Sequence, residues 1–134
     1  MTSLLKVEGI GPKYAEALKK VGVATAEGLL VKGATPKGRE ELALAAAISE
    51  KLILEWVNHV DLFRIKGVGE EYADLLEEAG VDTVPELKNR KPENLFEKMK
   101  VVNEDKKLVR QLPTLGQVES WVEQAKKLPR VIEY

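Results

Sequence analysis

Two glycines separated by one apolar residue and followed by a helix start are the feature of this sequence best suited to chemistry. In the first copy, Gly9-Ile10-Gly11 precedes Pro12 and Lys13. One glycine turns the chain, the apolar residue faces inward, and the other glycine allows close approach. The backbone N–H groups and the positive dipole end of the next helix then form an anion site. We expect an anion such as a backbone phosphate to be bound by Gly9, Ile10, Gly11 and Lys13, with Lys6, Lys19 and Lys20 nearby.

Composition argues against most other kinds of site. The chain has no Cys, which excludes a disulfide scaffold and thiolate metal or redox chemistry. His59 is its one histidine, and we expect it to be an exposed or helix-capping residue. The adjacent glutamates at 40–41, 70–71 and 77–78 diverge on helices and do not converge on a metal. We therefore expect no enzyme activity, no metal and no cofactor.

Length and hydrophobicity indicate a globular protein. The 134 residues, 44% of them hydrophobic, suffice for one domain or for two very small ones with a buried core. The start of the chain lacks the apolar run of a signal peptide, and no stretch reaches the roughly 18 apolar residues of a membrane helix. These observations favour a cytoplasmic protein that does not contact membranes.

The sequence contains an internal repeat. Residues 4–29 align with residues 62–87 at a constant offset of 58, and ten of the 26 positions are identical. Trp56 aligns with Trp121 at an offset of 65, so the second copy carries about seven additional residues in between. We expect two related units that pack into one body through the Trp-containing helices: residues 1–60 and residues 61–134.

Helix signals recur along the chain, and no strand-like alternation occurs. In the first unit, helices are predicted to begin near Ser3, Pro12, Thr25, Thr35 and Ser49. In the second unit, Thr83 and Glu86 have the spacing of a capping box, and further starts are predicted near Pro92, Asn103 and Thr114. The fold is therefore predicted to be all-α, with both tryptophans in the core.

The segments VEGIGPKYAEAL and IKGVGEEYADLL resemble the helix-hairpin-helix motif of DNA-repair, polymerase, ligase and nuclease subunits. Nearly the whole chain also resembles a family of uncharacterised bacterial and archaeal proteins built from tandem motifs of this kind. The resemblance implies a tandem helix-hairpin-helix (SAM-like) helical bundle with an internal two-fold sequence repeat. It also implies that hairpin N–H groups hold a nucleic-acid backbone without reading its sequence.

Charge differs sharply between the two copies of the hairpin. The chain as a whole has 21 basic and 22 acidic residues, whereas most nucleic-acid binders have a basic excess. Counted along the chain, the balance is plus one for residues 1–30 and minus four for residues 62–88. The basic residues Lys13, Lys19 and Lys20 are replaced by Glu71, Glu77 and Glu78. We therefore expect only the first hairpin to bind phosphate.

A second basic surface is a further candidate. Residues 88–110 hold eight basic and four acidic residues, and Lys106, Lys107 and Arg110 are predicted to share one helix. This pattern is consistent with an ordinary solvated surface and also with a second phosphate-binding surface.

Two functions follow from these patterns. The first is non-enzymatic, sequence-independent binding of a DNA or RNA backbone by the first hairpin. The alternative is a protein-interaction or scaffolding module in which both hairpins are purely structural, so that the partner is a protein.

Overall fold

The computed structural model describes residues 2–134, in which the regular elements are helices and an isolated bridge joins Ser3 to Thr25. The predicted all-α class is confirmed. A short 3₁₀ helix precedes eight α-helices in the described residues: Leu4–Lys6, then α1 Pro12–Lys20, α2 Ala26–Lys32, α3 Pro36–Ala46, α4 Glu50–Leu62, α5 Glu70–Glu78, α6 Val84–Lys88, α7 Pro92–Lys106 and α8 Leu115–Lys127.

The chain divides into two compact units. The first consists of Met1–Asp61 together with Val131–Tyr134, and the second of Leu62–Arg130. In the first unit α3 packs against α1 and α2, and in the second α8 packs against α6 and α7. Across residues 2–134, none of the helices combines the length and the apolar composition needed to cross a membrane.

Threonine caps set several of the helix starts. The Thr83 hydroxyl accepts a hydrogen bond from the Glu86 N–H at 3.4 Å, whereas the Glu86 carboxylate pairs with Arg90. The complete capping box forms between Thr114 and Gln117, whose side chains each accept a hydrogen bond from the other residue's N–H. The predicted helix starts at Thr83 and Thr114 are confirmed, but the capping box predicted for Thr83 and Glu86 is wrong, because only the Thr83 half of it forms.

The predicted helix start at Asn103 is wrong, because this residue lies in the last turn of α7. Its side-chain amide reaches forward and bonds both backbone groups of Val109: Nδ2 donates to the carbonyl at 3.2 Å, and Oδ1 accepts from the N–H at 3.0 Å. Lys107 ends the helix in a left-handed conformation with φ of 51°. Asparagine therefore closes the loop after a helix here instead of opening a new one.

In the first unit, Trp56 packs against a glycine turn. Gly9 has a φ of +93°, and a Cβ added there would lie 2.9 Å from the Trp56 Nε1 atom. Tyr14 stacks at a tilt on the same indole, with ring centroids 5.0 Å apart. Trp56 is only 2% exposed, which confirms its predicted place in the core.

The second unit repeats this arrangement at the matching residues. Gly67 has a φ of +96°, and its added Cβ would lie 3.0 Å from the Trp121 Nε1 atom. The Tyr72 ring lies against Trp121 at an interplanar angle of 50°, with ring centroids 5.3 Å apart. Each tryptophan therefore belongs to the core of its own unit.

His59 is buried, at 2% exposure, so the expectation of an exposed or capping residue is wrong. The cause is its helix, which is buried on more than one side: of residues 56–62, all but Asn58 are buried. Its neighbour Asp61 is likewise buried, at 1% exposure.

A buried arginine holds the C-terminal residues to the first unit. The Arg39 guanidinium, on α3, donates to the carbonyls of Gly33 and Glu133, both at 2.8 Å. The Glu133 N–H in turn donates to the Ala34 carbonyl at 2.7 Å. One planar guanidinium therefore links α3, the α2–α3 loop and the chain end.

Replacing Gly9 or Gly67, the positive-φ glycines that lie against a tryptophan, is expected to destabilise the unit concerned. Gly9→Ala should lower the free energy of unfolding by about 1–2 kcal/mol, because alanine strains the left-handed backbone and its Cβ meets Trp56. Gly11→Ala is the control: its φ is −90° and the added Cβ meets no described atom within 4 Å, so the change should stay within about 0.5 kcal/mol. Urea denaturation measures both, and equal losses would contradict this account.

Removing the Arg39 guanidinium is expected to weaken the first unit. Arg39→Met keeps most of the buried stem and removes two charged hydrogen bonds, which should cost about 2–3 kcal/mol in urea denaturation. Lys37→Met, on an exposed position of the same helix, is the matched control and should change stability by less than about 0.5 kcal/mol. An Arg39→Met variant as stable as this control would contradict the assigned role.

Candidate nucleic-acid interface

The first glycine turn, residues 9–11, is fixed from its inner side. The Ile10 N–H donates to the Val7 carbonyl at 3.1 Å, and the Ile10 side chain is 4% exposed. The predicted inward position of the residue between the glycines is confirmed. Gly11 is the N-cap of α1, with extended backbone angles of −90° and −176°.

The start of α1 presents donors without local acceptors. Gly11 has no capping side chain, Pro12 has no N–H, and the first intrahelical bond runs from the Ala15 N–H to the Gly11 carbonyl at 3.0 Å. The N–H groups of Lys13 and Tyr14 therefore have no intrahelical partner. The first turn of α1 contains no acidic residue, and the Lys13 side chain is exposed. Positive potential from the dipole and the lysine coincides here.

The second glycine turn, residues 67–69, has the same backbone form with opposite electrostatics. Val68 is buried, and Gly69 is the N-cap of α5 with a φ of −96°. The first turn of α5 carries Glu70 and Glu71, both exposed. These carboxylates complement the dipole of their own helix and repel an incoming anion.

The lysines predicted for the first site do not converge on one point. Lys6 is exposed at the end of the 3₁₀ helix that leads into the first glycine turn. Lys19 and Lys20 occupy the last turn of α1 and are exposed. At 1.5 Å of rise per residue, they lie about 10 Å along the axis from Lys13. The site at the turn itself therefore consists of backbone N–H groups and Lys13.

A groove between α1 and α3, with a volume of about 440 Å³, lies beside this site. We call it the α1–α3 groove; its lining residues are Lys13, Glu16, Ala17, Lys20, Val21, Ala45 and Ala46. Sequence reasoning did not find this groove. The available signal was Ala17, which stands where the second copy has Leu75.

The second basic surface is not on one helix, which corrects the expectation for Lys106, Lys107 and Arg110. The chain leaves α7 at Lys107, and Arg110 lies in the irregular segment that follows. The Lys106 ammonium binds the Glu78 carboxylate at 2.7 Å. This hydrogen bond and the charge of Glu78 raise the pKa of Lys106. One of the three predicted cations is therefore engaged within its own unit.

Acidic and histidine side chains do not gather into a metal site in the part of the chain that the structure describes. Within residues 2–134, no group of three or more His, Asp or Glu residues is placed to hold an ion.

The Glu27 carboxylate accepts the Thr2 N–H at 2.8 Å, and this backbone hydrogen bond lowers the pKa of Glu27. Its role is to hold the start of the chain.

The model of the family described as a domain of unknown function, DUF4332, matches residues 8–128. The chain belongs to the DUF4332 family. The DUF4332 match covers both glycine turns and runs from α1 through α8, so it spans most of each unit. The predicted resemblance to an uncharacterised family is thereby confirmed. No match was found among curated proteins or among solved structures.

Proposed function

We propose that the chain is a non-enzymatic module that binds the phosphate backbone of DNA, without sequence preference, through the first glycine turn. In this proposal both glycine turns are helix-hairpin-helix hairpins. The supporting observation is the start of α1, where unpaired backbone donors, open space beside Gly11 and exposed Lys13 occur with no acidic residue in the first turn.

A phosphate at this position accepts hydrogen bonds from the N–H groups of Lys13 and Tyr14. The Lys13 ammonium adds charge, and the glycine lets a phosphate oxygen approach the backbone. These contacts involve phosphate only, so they do not distinguish base sequence. Few phosphates are neutralised, and affinity is expected in the nonspecific range, with a Kd of about 10⁻⁴–10⁻⁶ M at physiological salt.

The second hairpin has a structural role in this proposal. Its backbone matches the first, but Glu70 and Glu71 occupy the turn where a phosphate would lie. Each chain therefore contributes one clamp, and a duplex is not held by both hairpins at once.

Duplex binding is expected to depend on the first hairpin. A labelled duplex should bind the wild-type chain at about 50 mM salt and more weakly at about 200 mM salt, because counterions are released from the backbone. Gly11→Ala combined with Lys13→Glu should weaken binding about tenfold or more, equivalent to about 1.4 kcal/mol. Fluorescence anisotropy measures both effects.

The second hairpin supplies matched controls. Gly69→Ala should leave duplex binding unchanged, since its added Cβ meets no described atom and its hairpin is not the clamp. Glu70→Gln with Glu71→Lys should increase binding, because it restores the charge pattern of α1. If Gly11→Ala combined with Lys13→Glu leaves duplex binding intact, the phosphate is bound elsewhere on the chain. The same titration with an RNA duplex tests whether DNA is the preferred nucleic acid.

A further inference from the structure

The α1–α3 groove continues along α3. A neighbouring cavity of about 210 Å³ shares Val21 and Ala45 with it and extends past Leu42 to Gly38. The floor of the combined groove is apolar, made of alanine, valine and leucine side chains. Its edges carry Lys13, Lys20 and Lys32, with Glu16 and Glu41 between them.

In the second unit, the matching face of α5 is covered by the chain itself. Leu75 and Ala79, which align with the groove residues Ala17 and Val21, are 0% and 1% exposed. Helix α7 packs against α5, and residues 107–112, which we call the covering segment, continue from α7 and contact α5 through Gln111. Its Leu108 and Leu112 side chains pack against the core of the second unit.

Two polar contacts hold the covering segment and the residue before it to α5. The Tyr72 hydroxyl donates to the Gln111 carbonyl at 3.0 Å. The Lys106 ammonium binds the Glu78 carboxylate at 2.7 Å. Apolar side chains flanked by a charged contact thus occupy this face.

The first unit lacks a covering segment because its chain is shorter at this point. Helix α3 is followed by its C-cap Ala47, with a left-handed φ of 57°, and only Ile48 separates this residue from Ser49, which caps the start of α4. After Lys107, which ends α7 in the same conformation, six residues precede the Thr114 cap. The face of α1 that corresponds to the covered face of α5 is therefore open.

The charged residues beside the open groove indicate which kind of chain segment can bind there. Where the covered face has Glu71 and Glu78, the groove has Lys13 and Lys20. The same contact made by a second copy would bring Lys106, which binds Glu78 in its own unit, to Lys20, and like charges repel. An occupant with carboxylates at the same places is complementary.

We propose that the α1–α3 groove docks a short acidic segment of a partner protein, whose leucine-type side chains occupy the apolar floor and whose carboxylates face Lys13 and Lys20. The partner segment lies on α1 in the same way as the covering segment lies on α5, but it carries carboxylates where the covering segment and its preceding residue carry basic side chains. The apolar floor favours a peptide over a nucleic acid, which has no aliphatic side chains to bury. This docking does not depend on phosphate binding by the first hairpin.

A labelled peptide tests the proposal directly. The probe has the sequence of residues 105–113 with K106E, K107E and R110E, and the control peptide has the unaltered sequence. The acidic peptide should bind the full-length chain about tenfold or more tightly than the control in fluorescence anisotropy. Failure of the acidic peptide to bind, or equal binding of both peptides, overturns the proposal.

Groove variants locate the binding. Ala45→Gln, at an exposed helical position, narrows the groove without adding charge and should weaken peptide binding about tenfold. Leu44→Gln is the control on the same helix: its side chain is 78% exposed and is not part of the lining, so binding should be unchanged. Unaltered peptide binding by a folded Ala45→Gln variant, verified by circular dichroism, overturns the assignment to this groove.

The two proposals fail independently. Gly11→Ala should leave peptide binding intact, and Ala45→Gln should leave duplex binding intact. A chain that binds duplex and not peptide retains only the proposed function, and the reverse result retains only the docking groove. Peptide-independent self-association in analytical ultracentrifugation that Ala45→Gln abolishes would assign the groove to a second copy and overturn the proposed partner.

Discussion

The contact between a tryptophan and a positive-φ glycine is the constraint on which each unit depends. Trp56 leaves no room for a Cβ at Gly9, and the turn requires a backbone angle that glycine adopts without strain. The two residues are far apart in sequence, so their contact joins α4 to the turn that begins α1. Tyr14, stacked on the same indole, extends the contact into α1. The position of the start of α1 is therefore fixed by packing on the inner side of the turn, and Gly67 with Trp121 repeats this scaffold.

The same scaffold supports opposite surface chemistry in the two units. Packing determines the positive-φ glycine, the apolar residue that follows it and the tryptophan, but it places no demand on the exposed first turn of the following helix. That turn carries Lys13 in α1, and Glu70 with Glu71 in α5. A change of charge there alters the attraction of anions without disturbing the core, since exposed charges contribute little to stability. Fold and ligand preference are for this reason separable in this molecule.

The sequence predicted those features that depend on near neighbours. Pro12 begins a helix because it lacks the N–H that would be unpaired at that position. Thr114 begins one because its side chain bonds the backbone three residues ahead, so local spacing reveals both starts. The errors concern longer-range contacts. Asparagine is a common residue at helix starts, but the hydrogen bonds from Asn103 to Val109 become apparent only in the folded loop. The burial of His59 depends on α4 being enclosed on several sides. The α1–α3 groove exists because one unit lacks a covering segment, and the alignment showed the length difference without showing where the additional residues pack.

The near-zero net charge of −1 conceals that part of the positive charge in the second unit is already paired. Residues 89–134 have a balance of plus three, which on its own would indicate a second basic surface. Lys106, however, binds Glu78, so part of this balance offsets the acidic charge of residues 62–88 inside the same unit. In the first unit Lys13 and Lys20 border an open groove and a helix start with no acidic residue in its first turn. Because screening limits exposed charges to a range of about 8–10 Å, the local arrangement of these lysines decides which anionic group is attracted, and the total charge of the chain does not.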